Sequence, residues 1–235
     1  MSKQKFDGYA DKYDGWFVAN EPLFQSEFQL VKTAIESVEH NHILSIGCGS
    51  GLFEIALKAE SIIVEECVEP SEDMARIAKM RGLNVQIATA QTAEFENEVY
   101  DLIYFNGSSS YFEDLEEAYS KCYKALKKGG HLITFDVPKE SAYGILYSLA
   151  KQTGSYSHPD ITDVAPKLPY PIELAGTACW HTVKRLSEAL INSHFSEDIN
   201  YMQTLCNNPI YTDSIVENVR EGYKEGGYVA LIAKK

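Results

Sequence analysis

Three alternating glycines, Gly47, Gly49 and Gly51, give the strongest indication of chemistry in this sequence. They follow a short apolar run, 43–46, and precede a helix-like stretch, 52–59. Strand, glycine turn and helix form the layout of a nucleotide-binding crevice, because glycine lets the backbone approach a ligand and the helix N-terminus leaves free N–H groups facing it. The spacing Gly-x-Gly-x-Gly differs from the Gly-x-Gly-x-x-Gly that binds a dinucleotide pyrophosphate.

The net charge of the chain limits what it can bind, and its length limits the number of domains. The chain has 235 residues, with 34 acidic and 21 basic side chains and a formal net charge of −13. A protein with this net negative charge would repel DNA, RNA and an anionic membrane surface. The length fits one large domain, or one domain with an insertion.

The cysteines and the N-terminus predict a cytoplasmic protein. The five cysteines include no Cys-x-x-Cys pair, which argues against disulfides and a zinc site. The N-terminus has no apolar core of the kind found in a signal peptide, and no segment reaches the roughly 18 apolar residues of a membrane helix. No cluster of His, Cys or paired carboxylates has ligand spacing, so we expect no metal.

Hydrophobic periodicity predicts an alternation of helices and strands, which implies parallel βαβ units. Ser71 is the predicted N-cap of one helix, Gly82 its end, and the run 127–130 (Lys-Lys-Gly-Gly) is predicted to stop another. Helices are predicted at 22–39, 51–58, 71–81, 115–126 and 182–192. Strands are predicted at 43–47, 62–68, 85–88, 99–105, 131–137, 199–205 and 228–233.

The region 137–180 differs from the rest of the chain. It holds five of the eight prolines and four tyrosines. We expect a helix near 143–151 followed by an irregular loop. Long irregular segments in a compact domain are usually functional.

The glycine loop, the acid Glu69 after the second strand, and the turn 89–91 after the third occur in a familiar order. Together with the polar loop 106–111 and the run 127–130, they resemble the class I S-adenosylmethionine-dependent methyltransferases. The pattern is most similar to the small-molecule enzymes of type 11, well over 6–136 and loosely over 180–235.

The resemblance implies an α/β, Rossmann-like fold with helices on both faces of a seven-stranded, mainly parallel sheet. The implied strand order is 3-2-1-4-5-7-6, with the last strand antiparallel. The whole chain, 1–235, would form one methyltransferase domain with N-terminal cap helices in 1–40. Separately from the resemblance, we expect the insertion 137–180 to form a lid over the acceptor together with the N-terminal 20 residues, because long irregular segments in a compact domain are usually functional or mobile.

The resemblance also implies S-adenosylmethionine as cofactor and places its contacts. Glu69 would accept hydrogen bonds from the ribose hydroxyls, and Thr89 to Gln91 stand where the family usually has Asp-Ala-Glu, a departure on the adenine side. The predicted cofactor-binding residues are Tyr13, Gly47, Cys48, Gly49, Gly51, Glu69, Pro70, Ser71, Met74, Thr89, Ala90, Gln91, Asn106 and Gly107.

Candidates for binding the methyl acceptor lie mainly in 137–180 and at its exit. An aromatic pocket could hold a cationic amine or a flat ring, although these side chains could equally pack, cap a helix or lie in a surface loop. The candidates are Tyr111, Tyr143, Tyr147, Tyr156, His158, Trp180 and His181.

The sequence therefore predicts methyl transfer to an oxygen, nitrogen or sulfur atom of a small molecule. The loop 106–111 lacks the Asn-Pro-Pro-Tyr motif of enzymes that methylate amino groups of DNA, RNA and protein amides. No residue stands out as catalytic. A nicotinamide-dependent oxidoreductase and a cofactor-binding protein without methyl transfer stay as alternatives. The acceptor and the oligomeric state stay open.

Overall fold

Strands and helices alternate along the chain to form a central sheet covered by helices on both faces. The computed structural model describes residues 6–112 and 114–235. Its α-helices are α1 (Ala10–Ala19), α2 (Glu21–Glu36), α3 (Leu52–Ala59), α4 (Glu72–Met80), α5 (Leu115–Ala125), α6 (Ala142–Thr153), α7 (Ile172–Thr177) and α8 (Val183–Asn192). Its strands are β1 (Ile43–Ile46), β2 (Glu66–Val68), β3 (Val85–Gln86), β4 (Tyr100–Asn106), β5 (Leu126–Asp136), β6 (Asn200–Thr204), β7 (Arg220–Glu221) and β8 (Tyr228–Lys234).

The strand order in the described residues is β3-β2-β1-β4-β5-β8-β6-β7. Strands β1 to β5 are parallel, and β8 runs antiparallel to both β5 and β6. The predicted strand order and the antiparallel last strand are confirmed. The strand β8 takes the place of the seventh strand in the predicted order, between β5 and β6. The two-residue strand β7 pairs with β6 and adds an eighth strand at the edge.

Alternate residues of the central strands bury against opposite helix layers. Leu102 and Tyr104 of β4 belong to one hydrophobic cluster, and Ile103 and Phe105 to the other. The first cluster includes residues of α2, α3 and α6, and the second includes residues of α5 and α8. A parallel sheet covered on both faces explains why these strands read as continuous apolar runs.

Two predicted boundaries differ most from the structure, and both depend on contacts with a neighbouring strand. The second strand begins at Glu66 rather than at residue 62. The Glu65 carboxylate accepts a hydrogen bond from the Ile43 amide at 2.8 Å, so a side chain takes the place of strand pairing there. The run 127–130 lies inside β5, where the pairing with β4 jumps from Leu126 to His131 in an irregular register.

Two segments cover the carboxyl end of the sheet. Helices α1 and α2 precede β1 and fall within the predicted N-terminal cap, 1–40, of which residues 1–5 lie outside the described residues. The region 137–180 contains α6 and a short additional helix, α7, around the irregular stretch. Among the described residues, no helix is both long and apolar enough to cross a bilayer.

Replacing Gly51 with alanine should destabilise the fold more than replacing Gly82. Both glycines have positive φ, +77° and +87°, which an alanine adopts at a cost of about 1–2 kcal/mol. At Gly51 a Cβ would also lie 2.3 Å from Leu83 Cδ1, whereas Gly82 has nothing within 4 Å. The end of the half-buried Leu83 side chain would have to shift to make room, so Gly51→Ala should lower the free energy of unfolding by about 0.5–1.5 kcal/mol more, the cost of a side chain forced off its preferred rotamer. Urea denaturation of both variants measures the difference, and equal losses would contradict it.

Candidate active site

The glycine loop lies between the carboxyl ends of β2 and β4. The Gly47 amide donates to the Val68 carbonyl at 2.7 Å, and Ser108 Oγ donates to the Ile46 carbonyl at 3.0 Å. A Cβ on Gly47 would lie 2.6 Å from the Ser108 Cβ. Glycine is needed here because the loop after β4 already occupies that space.

Glu69 is buried at the end of β2 and bonded to the glycine loop. Its Oε2 accepts a hydrogen bond from the Gly49 amide at 2.9 Å, and its Oε1 accepts one from the Ser71 amide at 2.8 Å. Burial raises the pKa of Glu69 to about 7, although both amide bonds favour the ionised form. The nearby carboxylates of Glu54 and Asp7 raise it further. A carboxylate has about four acceptor positions, so capacity for further donors remains.

Arg81 fixes the N-terminal helix above the glycine loop. Its Nη1 donates to the Ser50 carbonyl at 2.9 Å and to the Ser50 hydroxyl at 3.0 Å. The same guanidinium pairs with Asp14 of α1, which also accepts a hydrogen bond from the Ser50 hydroxyl. As a result the Tyr13 ring stands over the loop, with Cε1 about 4.0 Å from where a Cβ on Gly49 would lie.

A second set of contacts holds the segment before α1. Ser71 Oγ donates to Asp7 Oδ1 at 2.8 Å, and the Gly8 amide donates to Asp73 Oδ2 at 3.0 Å. The N-terminal segment is thus bonded both to the glycine loop and to the start of α4.

A cavity of about 390 Å³ opens along the carboxyl ends of β1, β2 and β4. This volume lies in the range of small-molecule and cofactor pockets. The predicted cofactor residues on its wall are Tyr13, Gly47, Gly49, Glu69, Pro70, Ser71, Met74, Thr89, Ala90, Gln91, Asn106 and Gly107. Cys48 and Gly51 do not line it, because Cys48 is buried beside the loop and Gly51 is the N-cap of α3.

The turn after β3 forms a polar end of this cavity without a carboxylate in the turn itself. The hydroxyls of Thr89 and Thr92 lie 3.0 Å apart, and each accepts a hydrogen bond from the other residue's amide. The Gln91 side chain donates to the Asp114 carbonyl at 3.2 Å. Glu117 of α5 supplies the carboxylate on this part of the wall.

A second cavity of about 60 Å³ adjoins the first. The two share part of their walls, formed by Tyr13, Asn106, Gly107, Tyr111 and Tyr170. The remaining wall of the second cavity is mostly aromatic and consists of Trp16, Phe17, Glu27, Phe53, Asp136, Val137, Tyr147, Trp180 and Tyr228. A ligand in the second cavity would therefore lie next to a ligand in the first.

Two buried carboxylates, Glu27 and Asp136, border the second cavity and differ in their partners. Thr134 Oγ1 donates to Asp136 Oδ2 at 2.5 Å and lies 2.7 Å from the Ser109 hydroxyl. Glu27 accepts no side-chain hydrogen bond from any residue that the structure describes. Burial raises the pKa of Glu27 to about 8 and that of Asp136 to about 7.

Three of the predicted acceptor residues, Tyr111, Tyr147 and Trp180, line the second cavity. The other four lie outside both cavity walls. Tyr143 bonds to the Thr212 hydroxyl, and Tyr156 packs with its ring 6.5 Å from that of Tyr147.

The two candidate histidines, His158 and His181, do not line either cavity and have contacts only outside them. His158 lies in a surface turn 3.5 Å from the Asp160 carboxylate. His181 is half-buried beside α8, and burial and then the Arg185 charge lower its pKa.

Several wall residues are not among the sequence-based predictions. They come from the segment before α1, from α1, α2 and α3, from β5 and β8, and from the irregular stretch, so no single local motif marks them. They include Phe6, Trp16, Phe17, Glu27, Phe53, Asp136, Tyr170 and Tyr228. The available signal for Glu27 is its position on the apolar face of α2, four residues after Leu23 and three before Leu30.

Comparisons with known proteins agree with this geometry. A family model described as a methyltransferase domain of type 11 matches residues 44–134. An uncharacterized protein of Methanocaldococcus jannaschii is 30% identical over 98% of both chains. A demethylmenaquinone methyltransferase of Leptospira interrogans is 25% identical over 152 residues, which cover 58% of this chain and 60% of the relative.

A solved structure extends the similarity over nearly the whole fold. It is a SAM-dependent methyltransferase from Thermotoga maritima, described as a possible histamine N-methyltransferase. It is 28% identical to this chain, covers 98% of both chains and superposes with a TM-score of 0.82. The chain belongs to the S-adenosylmethionine-dependent methyltransferases, and S-adenosylmethionine is its cofactor.

Proposed function

We propose that the protein transfers a methyl group from S-adenosylmethionine to a small molecule bound in the second cavity. The observation that carries the proposal is the shared wall of the two cavities, at Tyr13, Asn106 and Gly107. It would place an acceptor beside the methyl donor. The chain's net charge of −13 and the narrow aromatic cavity favour a small, neutral or cationic acceptor over a nucleic acid.

The volume of the first cavity and the polar groups on its wall support its assignment to the cofactor. Backbone at Gly47 and Gly49 can approach the methionine part, and Glu69 retains acceptor capacity for ribose hydroxyls. Polar groups also lie on the wall at the turn after β3, where the resemblance to the family would place the adenine: Thr89, Gln91, Thr92 and Glu117. When bound, S-adenosylmethionine supplies an electrophilic methyl group on a sulfonium.

The protein's own contribution is alignment and exclusion of water. Tyr13 and Tyr111 border both cavities, and the hydroxyls of Tyr111 and Tyr170 lie 3.0 Å apart. The Trp16 indole donates to the carbonyls of Leu168 and Pro169 at 3.1 and 3.0 Å. These contacts join the N-terminal segment to the region 137–180, which supports a lid formed by both.

Turnover measurements test the proposed function directly. The purified chain, given S-adenosylmethionine labelled in its methyl group, should label small amines, phenols, thiols or carboxylates in preference to bulk RNA, DNA or folded protein. Activity should survive a chelator, since we expect no metal. Preferential labelling of a macromolecule would contradict the acceptor class. Loss of activity with a chelator and its return with magnesium would contradict the metal-free mechanism.

The alternatives predict a different ligand or no turnover. None of the relatives described above is named as an oxidoreductase. Titration with S-adenosylhomocysteine and with NAD distinguishes a methyltransferase from an oxidoreductase, because a nicotinamide-dependent enzyme would bind NAD more tightly. The turnover measurements distinguish a methyltransferase from a protein that only binds the cofactor.

Glu69 should control cofactor affinity in a pH-dependent way. With a pKa of about 7, its carboxyl is protonated below that pH and ionised above it. Only the ionised form accepts hydrogen bonds at both oxygens, so binding of S-adenosylhomocysteine should tighten between pH 6 and pH 8. Glu69→Gln should weaken binding by about 1–3 kcal/mol at pH 8 and flatten the pH dependence. Calorimetry measures both effects, with Glu72→Gln on α4 as a control. An unchanged dissociation constant in Glu69→Gln would remove Glu69 from the site.

The lid should close over bound ligands. Hydrogen exchange of 6–20 and 137–180 should slow when S-adenosylhomocysteine binds, and slow further when an acceptor is present. Trp16→Phe removes the indole donor that joins the two segments and should reduce this protection. The exchange of β6 and β8 serves as an internal control. Equal protection of the lid segments with and without ligands would argue against closure.

A further inference from the structure

Glu27 is a carboxylate in a position that the fold treats as core. Leu23, Leu30, Val31 and Ala34 form the buried face of α2, and Glu27 lies on that face with about 9% of its surface exposed. A buried charge is destabilising unless it is paired or hydrogen-bonded. No described residue donates a hydrogen bond or a positive charge to it.

The surroundings of Glu27 would accept a cation. The described wall of the second cavity contains no Lys, Arg or His. It contains the rings of Tyr13, Phe17, Tyr147 and Trp180, whose faces attract ammonium groups. Glu27 lines the same wall as Tyr13, Tyr147 and Tyr228. Burial first, and then the Glu27 charge, raise the pKa of Tyr13 and of Tyr228.

Asp136 is partly satisfied: its Oδ2 accepts a hydrogen bond from Thr134, while its Oδ1 has no partner among the described residues. Glu27 accepts no hydrogen bond from a described residue at either oxygen, so it is the carboxylate with the larger unmet need for a donor. The size of the cavity sets a second limit. A volume of about 60 Å³ corresponds to roughly two water molecules. It therefore fits an amino group and the first atoms of its chain, while a larger acceptor would extend beyond it.

We propose that the acceptor is a primary or secondary amine whose ammonium group binds to Glu27, and that Glu27 takes up the proton that this nitrogen must lose before methylation. The proposal rests on the proposed function and names its substrate class.

The proton transfer and the methyl transfer balance. One N–H bond of the ammonium breaks, its electron pair stays on nitrogen, and the proton moves to a Glu27 oxygen. The nitrogen lone pair then forms the new C–N bond as the C–S bond breaks with its electrons going to sulfur. The raised pKa of Glu27, about 8, suits a group that exchanges a proton with an amine near neutral pH.

Calorimetry at pH 9 on the full chain saturated with S-adenosylhomocysteine tests the proposal. At that pH Glu27, with a pKa of about 8, is mostly ionised, and an alkyl ammonium, like that of Lys with its pKa of about 10.4, is still charged. The probes are propylamine and 2-phenylethylamine, each compared with 1-propanol or 2-phenylethanol as its neutral counterpart. The amines should bind more tightly than the alcohols by about tenfold to a hundredfold, because the alcohol has no positive charge to pair with the Glu27 carboxylate and its hydrogen bond is weaker than one between two charged groups. Glu27→Gln should abolish this preference, and Glu36→Gln, the same change on the exposed face of α2, should keep it.

Each outcome decides the question. Amines that do not bind, amines that bind no better than alcohols, or a preference retained in Glu27→Gln would overturn the proposal. Binding of S-adenosylhomocysteine by Glu27→Gln shows that the variant is folded. Failure of S-adenosylhomocysteine to bind the unmodified chain would instead overturn the proposed function, so the two failures are distinguishable.

Discussion

The site depends on the reversal of strand order between β1 and β4. Strands β2 and β3 extend the sheet to one side of β1, and β4 and β5 extend it to the other. In parallel α/β sheets, such a reversal opens a crevice at the carboxyl ends of the strands. The glycine loop after β1, Glu69 after β2 and the loop 106–111 after β4 therefore border one opening. Every other feature of the site covers or extends this crevice.

The buried carboxylates in and around the crevice differ in the hydrogen bonds that they accept. Glu54 accepts hydrogen bonds from two side-chain hydroxyls at 2.7 Å each, and Glu69 accepts them from two backbone amides. Asp136 accepts one from a threonine. These bonds offset part of the desolvation of each charge. Glu27 is the exception in the described structure, and it borders a cavity where a ligand can supply the missing partner.

Most of the sheet could be predicted from the sequence, because parallel strands buried on both faces give continuous apolar runs that local patterns reveal. The two boundary errors have a different origin. Glu65 reaches the Ile43 amide with its side chain, and the run 127–130 continues as an irregular strand instead of a turn. Both depend on what the neighbouring strand offers, which periodicity within one segment does not report.

The glycine loop, the acid at the end of β2 and the family could be predicted from the sequence, since each depends on residues close together in the chain. Which distant residues meet is visible only in the folded structure. Glu27 of α2, Tyr147 of α6, Trp180 and Tyr228 of β8 come from four separate segments and form one wall. His158 and His181, which look chemically suitable in the sequence, lie outside both walls. The reason is physical: the acceptor wall is formed by packing between elements, and the order of residues along the chain does not encode that packing locally.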